Sequence, residues 1–265
     1  MYTLSYQVML PPEVLGRRIR FFRNRAGISQ FDLEIALDAS AGMISRIESG
    51  KVNPTKETIT KIAGELSINS RELDYLIGVT AVPAIQAEID KALEEVSVYF
   101  GRRDVFAYLI DQRRRFIEIS RGFSQLLKIE YSYKRHLIGK TIIQVLIDEN
   151  LKIRDIIDPN SYEELLYAQL AYYHTDTSYM FDDTSYLDTL KDIRADRLAS
   201  RMWEKINNNN EKRYLPYEKR LVNFKVCSLS ILMSYTREPL LKNPRFEIIE
   251  YMPMRKLHRL LIKAA

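Results

Sequence analysis

Few residues of this sequence could carry covalent chemistry. Its three histidines, His136, His174 and His258, lie far apart with no metal-ligand spacing, and its single cysteine, Cys227, can close no internal disulfide. Glu163 with Glu164 and Asp182 with Asp183 are adjacent carboxylates, but neighbours on a helix do not face each other and spacing sets no histidine or lysine beside them. A Gly-rich phosphate loop and a His-Glu-x-x-His motif are both absent. No metal, no cofactor and no enzyme activity are therefore expected. The sequence does offer donors of planar, multiple geometry beside short apolar helices. Arg46 has a guanidinium fork able to grip guanine O6 and N7 together, worth roughly 1–3 kcal/mol of discrimination between bases. Gln30 falls in the first turn of another helix, where free N–H groups and the helix dipole attract a phosphate.

The elements that must position these side chains are legible in the first 80 residues. After Pro11-Pro12, Leu15, Ile19 and Phe22 recur at helical spacing, with Arg17, Arg18, Arg20, Arg23 and Arg25 between them, and Gly27 ends the run. Ser29-Gln30-Phe31-Asp32 reads as a capping box opening a second helix with Leu33 and Ala36 inward. Ser40 is expected to cap a third, from Ala41 to Glu48, carrying Ile44 and Ile47 and stopped at Gly50. Asn53-Pro54 opens a fourth, with proline at its first position and Ile59, Ile62, Ala63 and Leu66 on one stripe. Asn69, with Glu72 three residues on, starts a fifth through Leu73 and Leu76.

The run from Gly27 to Leu66, with its Ser-Gln, its Ile-Ser-Arg-Ile-Glu-x-Gly and its Asn-Pro, resembles the phage-repressor-like helix-turn-helix family of Cro/cI or XRE type. The resemblance covers residues 13–78. It implies that the third helix enters the major groove of double-stranded DNA and that Gln30 binds a phosphate. Ala41, Gly42, Met43, Ser45 and Arg46 then lie at or near the bases, and Lys51 and Asn53 are candidates for the DNA backbone. Ala41 and Gly42 bond poorly to bases and would permit close approach or a thymine methyl contact, although a glycine inside a helix weakens it by up to about 1 kcal/mol. Arg23 and Glu48 match family positions that pair between the first and third helices, a structural ion pair.

Beyond a short connection the pattern changes. Ile85, Ile89, Leu93 and Val96 form one apolar stripe, read as a linker helix over residues 81–100. Val105 to Asp111 and Arg114 to Ser120 read as two strands joined near Asp111-Gln112, Ser120 as the cap of a helix carrying Phe123, Leu126 and Leu127, and residues 140–205 as helices broken at Asp158-Pro159-Asn160 and around Asp182-Asp183. Three more strands are expected at about 219–227, 229–236 and 245–251, with Cys227 a small buried apolar residue. The fold class is thus α+β, an all-α five-helix domain over 1–80 followed by an antiparallel sheet covered by helices over 101–265.

The stretch from Tyr108 to Leu127, the run Gly139 to Ile156 and the run Asp188 to Ile206 resemble the PAS-like ligand-binding domain of MmyB-type transcription regulators, over residues 100–255. The resemblance implies a sensor of a small molecule. Phe106, Tyr108, Phe116, Phe123, Leu127, Leu166, Leu170, Tyr173 and Trp203 are the candidate wall for a small apolar ligand, a fatty acid or similar amphiphile. Trp203 is also expected to anchor helix to sheet.

The formal charge of +5 does not itself mark a nucleic-acid face, because residues 1–80 carry ten basic against nine acidic side chains while residues 211–265 carry twelve against five. No apolar run approaches the roughly 18 residues of a membrane span and no secretory signal opens the chain, so a cytoplasmic protein is expected. The reading is a homodimeric transcription regulator; the alternative is a repressor or antitoxin whose second domain is a protein-interaction and dimerisation module without a ligand.

Overall fold

The structure, a computed structural model, describes residues 10–79, 84–129, 131–208, 221–226 and 229–254. Cys227 and His258 lie outside the described residues, as does part of the basic C-terminal region. The chain divides into two compact units, Met1–Pro83 and Ala84–Ala265.

Among its described residues the first unit holds five helices: α1 (Pro12–Ala26), α2 (Gln30–Ala36), α3 (Met43–Glu48), α4 (Lys56–Glu65) and α5 (Ser70–Leu76). Leu15, Ile19, Phe22, Leu33, Ile44, Ile47, Ile62 and Leu76 are wholly buried at its centre, as their helical spacing requires. Gly27 closes α1 in the left-handed region. Ser29 accepts from the Asp32 N–H at 3.1 Å, but Asp32 takes up the Ser29 hydroxyl and not its backbone N–H, so the capping box expected at α2 is half formed, whereas Asn69 with Glu72 forms a full reciprocal box at α5. Two helix starts differ from the sequence reading. α4 begins at Lys56 under a Thr55 cap, leaving Pro54 buried ahead of it, because the threonine oxygen is free to accept the Thr58 N–H. α3 begins at Met43, with Ala41 and Gly42 outside it and Gly42 at φ +75° as its cap, so Ser40 does not cap it.

The second unit is α+β. Its chain order is α6 (Gln86–Phe100), β1 (Ala107–Asp111), β2 (Phe116–Ile119), α7 (Arg121–Leu126), α8 (Tyr131–Leu137), α9 (Ile142–Ile147), α10 (Ile153–Ile156), α11 (Pro159–Thr177), α12 (Thr184–Ala195), α13 (Arg197–Asn208), β3 (Leu221–Val226), β4 (Leu229–Pro239) and β5 (Phe246–Pro253). The five strands form one antiparallel sheet in the order β2-β1-β5-β4-β3, so the two early strands are joined to the three late ones through β1 and β5, with Leu109 opposite Ile248. One face carries the main core, where Phe123, Leu146, Leu166 and Tyr173 from the helices meet Tyr108, Phe224 and Tyr251 from the strands. The other face carries α6, whose Ala92, Val96 and Phe100 pack with Ala107, Leu109 and Phe246. The stripe expected on a linker is therefore largely spent on the unit's own sheet: Val96 is buried, Ile89 and Leu93 are half-buried, and Ile85 is exposed. Ser120 does cap α7 and also holds β1, accepting from Ala107 N–H at 2.9 Å and donating to Val105 C=O at 2.8 Å. No described helix is long and apolar enough to cross a membrane.

Candidate nucleic-acid interface

A buried carboxylate organises the N-terminal unit. The Glu48 side chain has no solvent exposure, and it accepts from Arg23 Nε at 2.6 Å and Nη2 at 3.1 Å, from Gln30 Nε2 at 2.7 Å and from Arg20 Nε at 3.2 Å. Burial pushes its pKa up, but the hydrogen bonds from Arg23 and Gln30, the Arg23 charge and the Arg20 bond together hold it below the ordinary carboxylate value. Arg23 Nη1 also donates to Ile28 C=O at 2.8 Å, so one guanidinium ties the end of α3 to the turn after α1. The expected Arg23–Glu48 pair is in place, with Arg20 and Gln30 as further partners.

The start of α3 is held by a second carboxylate, one that sequence reasoning missed. Glu34, on α2, accepts from Gly42 N–H at 3.1 Å and from Ile44 N–H at 2.9 Å, satisfying two donors that the helix leaves unpaired. Gly42 has no side chain with which to do this. Its positive φ, inconsistent with a helical residue, is what turns the chain between α2 and α3. Nothing in the spacing of Glu34 marks the role, since it lies eight and ten residues before the two donors it serves.

Gly16 sets the depth of α3. A methyl there would overlap the Ile47 carbonyl oxygen and stand 2.7 Å from that of Glu48, so α1 and α3 approach at backbone contact only because α1 has no side chain at this point.

What this leaves outward is short and specific. Ala41, Ser45 and Arg46 are exposed and Gly42 and Met43 half-buried, while Ile44, Ile47 and Glu48 face inward. Lys51 and Asn53 are exposed just beyond, with the Lys51 N–H donating to Arg46 C=O at 2.9 Å. The arginines of α1 do not form a free basic face: Arg18 is buried over the Tyr75 ring at 3.7 Å, Arg20 and Arg23 serve Glu48, and Arg25 pairs with Glu72. Four of the five cations of that helix are thus engaged within the unit, Arg18 and Arg23 deeply and Arg20 and Arg25 at the surface, which explains why mild net charge says little about its partner. A two-helix corner, locked from behind by buried carboxylates, thus presents one arginine and small side chains.

Residues 14–64 match a family model described as a helix-turn-helix domain. The N-terminal unit is a helix-turn-helix region, and such a domain supports a DNA-binding regulator rather than an enzyme. No curated protein matches the chain.

In the second unit, all nine residues expected around a ligand are buried in one core. Only Tyr108, Phe116, Phe123 and Leu127 reach its apolar cavity, whose free volume is about 30 Å³. Phe106, Leu166, Leu170, Tyr173 and Trp203 pack elsewhere in that core. Trp203 meets the His174 ring edge-on at 5.3 Å and Tyr173 at 6.4 Å, both on α11, within the buried cluster that also holds the strand residues. Sequence could not separate core from cavity here, because the same aromatic residues suit both.

Proposed function

We propose that the protein is a sequence-specific, double-stranded-DNA-binding transcription regulator that acts as a homodimer. The observation that carries the reading is Arg46: it is exposed on a helix whose two ends are tied down by Glu34 and Glu48, the preorganisation that base reading requires. Arg46 reads a base edge in the major groove, and Ala41, Gly42, Met43 and Ser45 allow the close approach. Lys51, Asn53 and the first turn of α2 at Gln30 contact phosphates. Gln30 keeps a second amide N–H beyond the one given to Glu48, so the two roles are compatible. One head reads few base pairs, and two heads on half-sites about one helical turn, roughly 34–36 Å, apart supply the specificity. Selection of duplexes from a random pool by the full chain tests this. A near-palindromic consensus supports it, whereas salt-sensitive binding without sequence preference rejects it.

For the second unit we carry forward the MmyB-type PAS-like regulatory domain. An apolar amphiphile on its aromatic wall is the first reading. The second, an interaction and dimerisation module without a ligand, is favoured by one observation: the apolar cavity offers about 30 Å³, against the ~300 Å³ or more of ordinary ligand pockets. Solvent extraction of purified protein with mass spectrometry, alongside sedimentation, separates the two. A stoichiometric lipid supports the first, and a clean extract from a dimer supports the second.

A further inference from the structure

A cation with two unsatisfied donors lies inside the second unit, behind the turn from β1 to β2. Arg114 is 3% exposed, and its Nε and Nη1 make no hydrogen bond. Asp176 Oδ2, 3.6 Å from Nε, is an ion-pair partner beyond hydrogen-bond range, and the Tyr172 ring centre lies 5.5 Å from the guanidinium carbon, so charge is partly met while the N–H donors are not. Its backbone adopts φ +61°, disfavoured for a residue with a side chain, and is pinned by its own N–H on Asp111 C=O at 2.8 Å and by its C=O accepting from Ile142 N–H at 3.2 Å. The turn thus holds the guanidinium inward at a conformational cost.

The neighbouring charges are committed elsewhere. Arg237 is gripped by both oxygens of Glu247, and its Nη1 lies 3.5 Å from the same Asp176 oxygen. Arg113 pairs with Asp183 at 2.8 Å, and Arg115 with Asp111 at 2.6 Å. A cavity of about 30 Å³ opens beside Arg114, walled on its polar side by Arg237, Gln169, Tyr172 and Tyr235 and elsewhere by isoleucines such as Ile142 and Ile249.

We propose that this cavity binds the carboxylate of a small organic acid, with Arg114 supplying the donors and the isoleucine wall receiving a short alkyl stem. A buried cation with idle N–H groups is unfavourable, and an acceptor that also carries negative charge relieves both defects at once. Burial, then the charge of Arg237, holds the Arg114 pKa below its ordinary value despite Asp176 and Glu247, so the surroundings as they stand undercompensate the charge. Size selects the acid: the space holds a few water-sized groups, not a long chain. A phosphate dianion calls for more than one available cation, and Arg237 is taken. The proposal rests on the regulator reading only for what binding would control; the site itself stands on the geometry of this unit.

The test is saturation-transfer NMR on the full-length protein with sodium acetate, propionate and butyrate at constant ionic strength, with acetamide as the neutral control and thermal melting in parallel. We expect saturable transfer that is strongest for acetate and falls with chain length through propionate and butyrate, a rise in melting temperature, and no response to acetamide. Arg114→Met should fold, because Asp176 keeps Arg237 as an ion-pair partner when Arg114 is removed, and should weaken acid binding at least tenfold. Equal acid responses in both proteins, or no transfer to any acid, overturn the proposal. Arg114-dependent binding of inorganic phosphate without carboxylate binding also overturns it. Should Arg114→Met not fold, Arg114→Lys and Gln169→Leu take its place, and unchanged affinity in both is the overturning result. DNA binding of the same sample is measured apart, so its failure bears on the regulator reading alone.

Discussion

Gln30 Nε2 donates to Glu48 Oε2 at 2.7 Å, so the side chain that the helix-turn-helix resemblance sends to a DNA phosphate also helps neutralise the carboxylate that anchors α3. Glutamine can do both because its amide nitrogen carries two hydrogens.

Two substitutions separate reading from holding. Arg46→Ala should cost roughly 1–3 kcal/mol of discrimination at one base position of a selected operator, while Gln30→Ala weakens binding to all duplexes alike. Fluorescence anisotropy on an operator and its single-base variants decides it. An Arg46→Ala protein with unchanged selectivity removes Arg46 from the base-reading role.

Gly42→Ala tests the turn. If Gly42 were helical, alanine would stabilise the unit by up to about 1 kcal/mol, but at φ +75° the added methyl should destabilise it by about 1–2 kcal/mol. Gly16→Ala should cost about 3 kcal/mol or more, since the obstacle is backbone oxygen. Urea unfolding of the two variants, with the sign of the first as the critical reading, is the measurement.

Acid should loosen the N-terminal unit through Glu48. Its folded pKa lies below the ordinary 4.5, so its contribution is complete above that value and is lost as pH falls through the folded one. Glu48→Ala should cost about 3–5 kcal/mol at neutral pH, leaving Arg23 without its buried partner. Glu48→Gln should flatten the acid dependence of stability below pH 4.5; a curve parallel to the parent's would refute the assignment.

His174 sets a second pH dependence, in the other unit. Burial holds its pKa below 6.5, against a smaller opposing bond from Asn207, so the folded state prefers the neutral ring. The stability this brings is complete above pH 6.5 and falls away as the unfolded chain takes up a proton below it. Melting of the second unit should therefore drop as pH falls below 6.5, and His174→Phe should lessen the drop. Thermal melts of parent and variant across that range provide the check.

The sequence by itself determined the kinds and order of elements. Periodicity of Leu15, Ile19 and Phe22, caps at Ser29, Asn69 and Ser120, and the aromatic and branched residues of Val105 to Asp111 and Arg114 to Ser120 are local signals, and each governs a conformation within a few residues of itself. The Arg23 and Glu48 pairing was also legible, but only through resemblance to a family pattern. Tertiary structure decided what depends on contacts distant in sequence: that Glu34 caps α3 across the turn, that Gly42 lies outside the helix, and that the α1 arginines are consumed by Tyr75, Glu48 and Glu72. It also decided which aromatics line a cavity and which fill the core, and that Arg114 turns inward while Arg113 and Arg115 pair beside it. The reason is physical. A helix or strand is chosen by short-range sterics and hydrogen bonding, whereas the partner of a buried charge is fixed only when packing brings two remote segments together.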